Sequence, residues 1–326
     1  MYFCLPVYLP TSLLTRLSLM FPMKPYDLLV AGEINPDLIL SGDVEPTFGQ
    51  VEKLVESAVL TIGSSSVIFA CGAARLGLKV SFIGKCGDDV FGRFMLEEMA
   101  KRGVNVENVI QVPGGATGLS VILNRGVDRA ILTHPGLIPA LSAEDIPDAL
   151  LRQARHLHIA SYFLQDALRP GLPRLFERAR SLGLSTSLDT NYDPSETWRG
   201  VLDLLPLTNI FLPNQAEACS LTGETEVERA AQTLSARVET LAIKLGAQGA
   251  LGIRNGQKVR TASIPVQVID TVGAGDTFDA GFICGYLNGW PLEKSLRLAV
   301  VCGALSTRAA GGTAAQPSLA EALAFL

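Results

Sequence analysis

An α/β fold, with a central, mostly parallel sheet flanked by helices and a small β-sheet lid, is predicted by three features of the sequence. Short β-branched runs alternate with stretches of helical period, the signature of parallel strands joined by covering helices. Helical stretches stop at glycines, and two segments, 38–50 and 118–136, break the alternation. Taken in order, 27–32 (DLLVAG) reads as the first strand, 67–77 as a helix closed by Gly77, and 80–84 (VSFIG) as the next strand. A helix over 90–103 again ends on glycine. Strands over 156–161 and 184–189 enclose a helix over 170–183, and strands over 209–213 and 240–246 follow. Long helices at about 277–288 and 291–309 occupy the last third.

The halves of 118–136 pair about a turn at Arg125 to Asp128, and both interrupting segments read as antiparallel ribbons. A small sheet built from these two chain-distant insertions makes a lid over the C-terminal edge of the main sheet, where open α/β folds bind ligands. With no repeat, low-complexity tract or linker, residues 23–326 read as one domain. Residues 1–22 are apolar, yet Arg16 is their first charge, and Pro6 and Pro10 interrupt a stretch too short to span a bilayer. They read as a leader that is disordered or precedes a native start at Met23.

With 48% hydrophobic and 18% charged residues the chain can bury a large core. A net charge of −5 and no basic run interleaved with aromatics argue against nucleic acid as a partner, and a membrane partner is not expected either. Cys4, Cys71, Cys86, Cys219, Cys284 and Cys302 form no CxxC pair, which fits reduced thiols in a cytosolic protein. His156 and His158 point to one face of a strand; without a third ligand they read as packing rather than a metal pair.

The strongest chemical signal is Asp270-Thr271-Val272-Gly273-Ala274-Gly275-Asp276-Thr277-Phe278, which follows the strand-like VQVI and opens a helix. Gly273, Ala274 and Gly275 leave amides uncovered at a helix N-terminus, where unpaired N–H groups and the helix dipole favour an anion such as a phosphate. Asp276 falls in the first turn beside them, placed to take a proton from an attacking hydroxyl. The residues alone leave open that Asp276 only caps its helix.

This stretch resembles the second signature of the ribokinase-like (PfkB) carbohydrate kinases, D-T-x-G-A-G-D-(S/T)-F, at every specified position. The resemblance runs over nearly the whole chain from Met23. It implies a phosphotransferase that moves the terminal phosphoryl of ATP to a hydroxyl of a small carbohydrate, with Asp276 as general base, magnesium and a possible potassium ion. A nucleoside kinase of the same fold is the alternative within the family, and a silent sugar or nucleotide sensor the alternative outside enzymology. Gly32-Glu33-Ile34-Asn35-Pro36-Asp37 is similar to the family's first strand and sugar-reading turn, so Asn35 and Asp37 would bind acceptor hydroxyls. Gly84 to Gly92 resembles the first signature, with Asp88 and Asp89 read as helix caps. Asn214 and Glu217 resemble an N-x-x-E element that places magnesium and the transferring phosphate, largely through water; Asn followed by Glu three residues on is also an ordinary helix start.

Lys244, Gly246 and Gly249 match the nucleotide-side turn, and Asp270, Val272 and the loop through Ser318 resemble a monovalent-cation site. Asp189-Thr190-Asn191-Tyr192-Asp193 resembles a D-x-N-Y-R segment whose arginine is here Asp193, which counts against acidic or phosphorylated acceptors. Another departure lies at Gly63-Ser64-Ser65-Ser66-Val67-Ile68: Ile68 stands where the family has a hydroxyl-reading asparagine. Gly63, Ser64 and Ser65 are then expected to line the acceptor, with the two serines supplying hydroxyls, unless Ser66 replaces the asparagine after a slip of the helix. An acceptor other than ribose is expected. Lid-to-lid dimers are common in families of this kind, so the resemblance admits a homodimer.

Overall fold

Runs of Val, Ile and Leu covered on both faces need no polar alternation, and such runs form the central sheet. The computed structural model describes residues 24–125 and 128–326; the expected leader and the tip of the 118–136 hairpin lie outside the described residues. Its strands are β1 Tyr26–Ala31, β2 Pro36–Ser41, β3 Ser57–Ile62, β4 Val80–Ile83, β5 Lys85–Gly87, β6 Val104–Asn105, β7 Ile110–Val112 and β8 Leu119–Arg125. They continue with β9 Asp128–His134, β10 Ala154–Ile159, β11 Ser185–Leu188, β12 Ile210–Phe211, β13 Thr240–Lys244, β14 Ala250–Arg254 and β15 Gln257–Thr261. The longer helices are α1 Ser65–Arg75, α2 Val90–Lys101, α3 Leu172–Ser181, α4 Gln215–Thr222, α5 Val227–Ser235, α6 Ala274–Leu287 and α7 Leu292–Ser306.

Nine strands form the main sheet in the order β15-β14-β13-β12-β11-β10-β1-β4-β6. All are parallel except the β13-β14-β15 meander at one edge. Alternation along β1 sends Leu28 and Val30 into one core layer with Phe69 and Phe82, and Leu29 and Ala31 into the other with Phe176 and Leu188. The lid is a separate four-stranded sheet, β3-β2-β8-β9. Beside it, β5 and β7 pair at the base of α2.

The structure corrects two expectations and adds one hairpin. The first lid insertion is not a ribbon within 38–50: β2 pairs antiparallel with β3 and parallel with β8, and β3 begins only at Ser57, beyond the expected segment. The VQVI stretch before Asp270 is not a strand, because the amides of Ile269 and Asp270 both go to the carbonyl of Thr307 instead of a ladder. The β14–β15 hairpin escaped the periodic reading, although Asn255-Gly256, both at positive φ (51° and 77°), is the usual two-residue turn signal.

His156 and His158 are fully buried and serve the fold. The two ring nitrogens of His156 meet Ser185 and Ser187 at 2.7 Å each, His158 Nδ1 meets Ser187 at 2.7 Å, and His158 stacks on Phe69. Burial pushes the His158 imidazole down to about 3, with Asp189 opposing and Lys244 assisting; burial, with His158 and Arg155, also lowers His156. The unfolded chain takes up these protons below pH ~6.5 while the folded chain does not, so stability present above that pH is lost as pH falls toward 3. Between pH 6.5 and 5, urea unfolding of the wild type should therefore lose about 2 kcal/mol more than that of His158→Gln. Equal losses would contradict this account.

Candidate active site

The parallel strands all end on one side, and the residues that follow them converge there. Glu33 and Asn35 follow β1, Ser161 follows β10, Asp189 and Asn191 follow β11, and Lys244 closes β13. Facing them is the start of α6, whose cap Gly273 lies at φ 72°. A Cβ at Gly273 would sit 2.7 Å from the Gly312 backbone, so both the conformation and the close approach require glycine. The segment 271–276 thereby becomes a wall between two cavities. One, of about 330 Å³, lies under the lid and is lined by Asn35, Asp37, Ser65, Asn191, Gly273 and Asp276. The other, of about 320 Å³, is lined by Lys244, Gly246, Gly249 and Gly275 together with apolar Val266, Phe278 and Ala304. Thr271 lines both.

Asp276 is 8% exposed. Burial and the charge of Asp189 push its carboxyl up to about 8, Glu33 adds to this, and Lys244 and a hydrogen bond from Ser65 pull the other way. Lys244 Nζ donates to Asp189 Oδ2 at 2.9 Å and to Asp279 Oδ2 at 3.1 Å. Burial alone would discharge this ammonium, but Asp189, Asp279 and Glu217 outweigh it and raise its pKa. Asp189 is correspondingly held low against the cost of burial, mainly by Lys244, while burial raises Asp279 well above the usual carboxylate range. Burial also lifts Glu217 and Asp37 to about 7 each. The centre thus concentrates carboxylates around one cation, an arrangement suited to binding further positive charge.

Most expected site residues meet here. Asn35 and Asp37 lie together in the lid-covered cavity, Asn35 Nδ2 being 3.4 Å from Asp37 Oδ1. Gly63 approaches them so closely that a Cβ would lie 2.2 Å from Asp37 Oδ1. Asn214 and Glu217 form a reciprocal capping box at the start of α4, and Asn214 bridges Lys244 in the backbone, so the ordinary helix start and the implied role coexist. Ala274, Gly275 and Asp276 occupy the first turn of α6. Asp89 caps α2 through Gly92, whereas Asp88 accepts from Gly114 and is no cap. Asp270 accepts from Val272 at 3.0 Å and from Gly311 at 2.8 Å, joining the two loops expected at a monovalent-cation site.

Other residues depart from expectation. Ser64 lines the acceptor cavity as expected, but its hydroxyl donates to the Glu33 carbonyl at 2.7 Å and accepts from Val67, which ties it to capping α1. Ser318 is likewise committed, bonding Glu321 at the start of the helix Leu319–Leu323. The helix has not slipped: Ser66 donates to Glu33, and Ile68 lines the acceptor cavity and packs on Gly273 and Gly312. Asp193 turns inward to Ser195 and Trp198, shaping its own loop and leaving the cavity. Sequence reading missed Glu33, Ser161 and Asp279 as site residues, and Arg129, the only Lys or Arg lining the first cavity among the described residues. No local pattern marks them; a buried carboxylate beside the expected Asn35 is the nearest signal.

The model of the pfkB family carbohydrate kinases matches residues 27–319. An uncharacterized sugar kinase of Archaeoglobus fulgidus is 32% identical over 232 residues, covering 70% of this chain and 90% of the relative. Among solved structures, Arabidopsis thaliana ribokinase complexed with ribose and ATP superposes with a TM-score of 0.81 at 24% identity, over 92% of this chain and 98% of that one. An E. coli neighbour solved with ATP and Mg2+ superposes with a TM-score of 0.83 at 24% identity, over the same shares. Both share the fold of this chain.

Proposed function

The chain belongs to the pfkB family of carbohydrate kinases, and from that premise we propose that it transfers the terminal phosphoryl group of ATP to a hydroxyl of a small carbohydrate, with Asp276 as general base. The observation that carries this reading is the wall at 271–276, which has Asp276 on the lid-covered side and Gly275 with Lys244 on the other. The acceptor lies under the lid against Asn35 and Asp37. The nucleotide lies across the wall, its phosphates approaching the glycine turn and Lys244. Asp276 takes the proton of the attacking hydroxyl, and the amides of residues 273–276 meet the charge on the phosphoryl in line between the two cavities.

The oxygen donors of Asn214 and Glu217, close to the Asp189 carboxylate, fit a hard divalent cation that keeps much of its water. Magnesium there would neutralise phosphate charge. Potassium would belong to the loops joined at Asp270 and Val272. Edge strands β3 and β9 expose Val59, Leu60, Ile131 and Leu132, which supports a homodimer through the lid. The free thiols among the described residues, all but Cys219 buried, fit a cytosolic enzyme, and no helix among the described residues is long and apolar enough to cross a membrane.

Release of ADP from MgATP in the presence of pentoses, hexoses, keto-deoxy sugar acids and nucleosides tests the reading. The acids belong in the panel because Arg129 faces the cavity beside Asp37. Sugar-dependent turnover is expected, with ribose not the best acceptor, since Ile68 cannot bond a hydroxyl and an unpartnered one costs about 1–3 kcal/mol. Turnover with nucleosides alone, or none with any acceptor, would overturn it.

A further inference from the structure

The inner face of the lid changes chemistry along its strands, and the register fixes where. Residues directly opposite each other on antiparallel strands share a face, and side chains two apart along a strand return to it. The pairs Ser120–Thr133, Ile122–Ile131 and Asn124–Arg129 of β8 and β9 therefore stand on one face, and all of these residues but Asn124 line the lid-covered cavity. The first pair is polar and lies beside Asp37, which is the partner of Ser120 in the β2–β8 ladder. The hydroxyls of Ser120 and Thr133 bond each other at 3.0 Å, and Asn35 Nδ2 is 3.5 Å from Ser120 Oγ. The second pair is aliphatic. The third, about 13 Å farther along the strands than the first, brings an amide and a guanidinium.

Arg129 is the one Lys or Arg lining this cavity among the described residues, and the other ionisable groups there are the carboxyls of Glu33, Asp37 and Asp276, which offer an anion no positive charge. The acids that share a neighbouring hollow with Arg129 are Glu45 and Asp128, and both pair with Arg125, at 3.3 and 3.7 Å. From Arg129 itself the backbone amide meets Asp128, while the guanidinium has no ion-pair or hydrogen-bond partner among the described residues. A guanidinium is a planar fork of donors that fits a carboxylate or a phosphate through two parallel bonds. A lid that closes on a neutral sugar would take water from this charge and return nothing to it, whereas an anion there restores its partners.

We propose that the acceptor is an anionic sugar, a sugar acid or a sugar phosphate, whose carboxylate or phosphate is held by Arg129 on the lid while another part of the molecule presents its hydroxyl to Asp276. This inference rests on the reading of the lid-covered cavity as the acceptor site. Arg129 binds and orients, and takes no part in the transfer. With the amides at the start of α6 given to the transferring phosphoryl, an anion finds a positive side chain at one place in the cavity, which fixes the end of the acceptor left for Asp276. Asn124, opposite Arg129 on the same face, adds an amide donor to that end of the lid. Asp193, read from the sequence as counting against such acceptors, bonds Ser195 and Trp198 within its own loop and brings no charge to the cavity.

The test measures acceptor binding by calorimetry and ADP release from MgATP separately, in the full chain and in its Arg129→Gln and Arg129→Lys variants. The probes are glucose and fructose, their phosphate monoesters, gluconate and ketodeoxygluconate. In the wild type the best anionic probe should exceed the neutral sugars in affinity and in kcat/KM. Arg129→Gln should lower that ratio by about 10- to 100-fold, the effect of a hydrogen bond to a charged group, and chiefly through KM. Arg129→Lys, which keeps the charge but not the fork, should fall between. The larger loss among the acids or among the phosphate esters identifies the group that Arg129 holds. Arg129 is exposed, so the Gln variant should unfold at the wild-type urea midpoint, and a lost preference then reports binding rather than folding. The proposal is overturned if no anionic probe outdoes the neutral sugars, or if Arg129→Gln leaves the ratio unchanged. Binding of an anionic probe that depends on Arg129, with no ADP released for any acceptor, would sink the kinase reading and leave the anion site standing.

Discussion

Asp276→Asn is expected to lower turnover by roughly 10²–10⁴ while leaving the fold and ATP affinity nearly unchanged. The substitution keeps size and shape, and an asparagine in the first turn of α6 costs the helix little. What it removes is the ability to accept a proton from the attacking hydroxyl. Stability should not suffer near neutral pH, because burial and the charge of Asp189 lift this carboxyl to about 8, so it is largely protonated there and the neutral amide replaces a neutral acid. The wild type carries a matching pH signature. With the carboxyl lifted to about 8 by burial and Asp189, the base form is populated only as pH rises through that value, so kcat/KM should climb through neutrality toward pH 8. Titration of ATP binding, urea unfolding and kcat together check the assignment. An Asp276→Asn enzyme with near-native turnover would refute it.

Lys244→Met should produce the largest loss of stability, about 3–5 kcal/mol, because it breaks a buried ion cluster by removing one partner. Methionine keeps the apolar stem, so the loss reports the charge rather than the packing. Asp189 and Asp279, 2% and 1% exposed, would then face each other without the ammonium that holds them. Unpaired, they should titrate above their unfolded values. A carboxyl whose folded pKa is raised gains stability as pH falls through it, so the variant should recover part of its loss on acidification. Urea unfolding of both proteins at pH 8 and pH 5.5 measures this, the gap narrowing at the lower pH. A loss below about 1 kcal/mol at pH 8 would mean that the cluster is worth no more than a surface pair. Lys244 also lines the nucleotide-side cavity, so ATP affinity should fall with it.

The two variants separate what could be read locally from what could not. Asp276 was legible because its meaning is carried by its neighbours in the chain: Gly273 and Gly275 immediately before it and a helix immediately after. Lys244 was legible as part of a glycine turn, but its carboxylate partners were not, since Asp189 and Asp279 lie 55 and 35 residues away. Asp193 shows the opposite failure. Chain position placed it where the family has an arginine, yet its side chain closes its own turn and never reaches the cavity.

By itself the sequence determined the layered α/β fold and the anion-binding start of α6, because strand runs, helical periods and glycine turns are properties of contiguous residues. The strand boundaries were off where backbone groups found partners outside any ladder, as Ile269 and Asp270 do at Thr307. Tertiary structure alone decided which polar groups meet. Ser161 reaches Glu33 across 128 residues, and Asn191 reaches Ser65 across 126. Those contacts exist because β10 lies between β1 and β11 in the sheet, which sets the ends of three strands side by side. Strand order is a pairing of distant segments, and no local period in the chain encodes it.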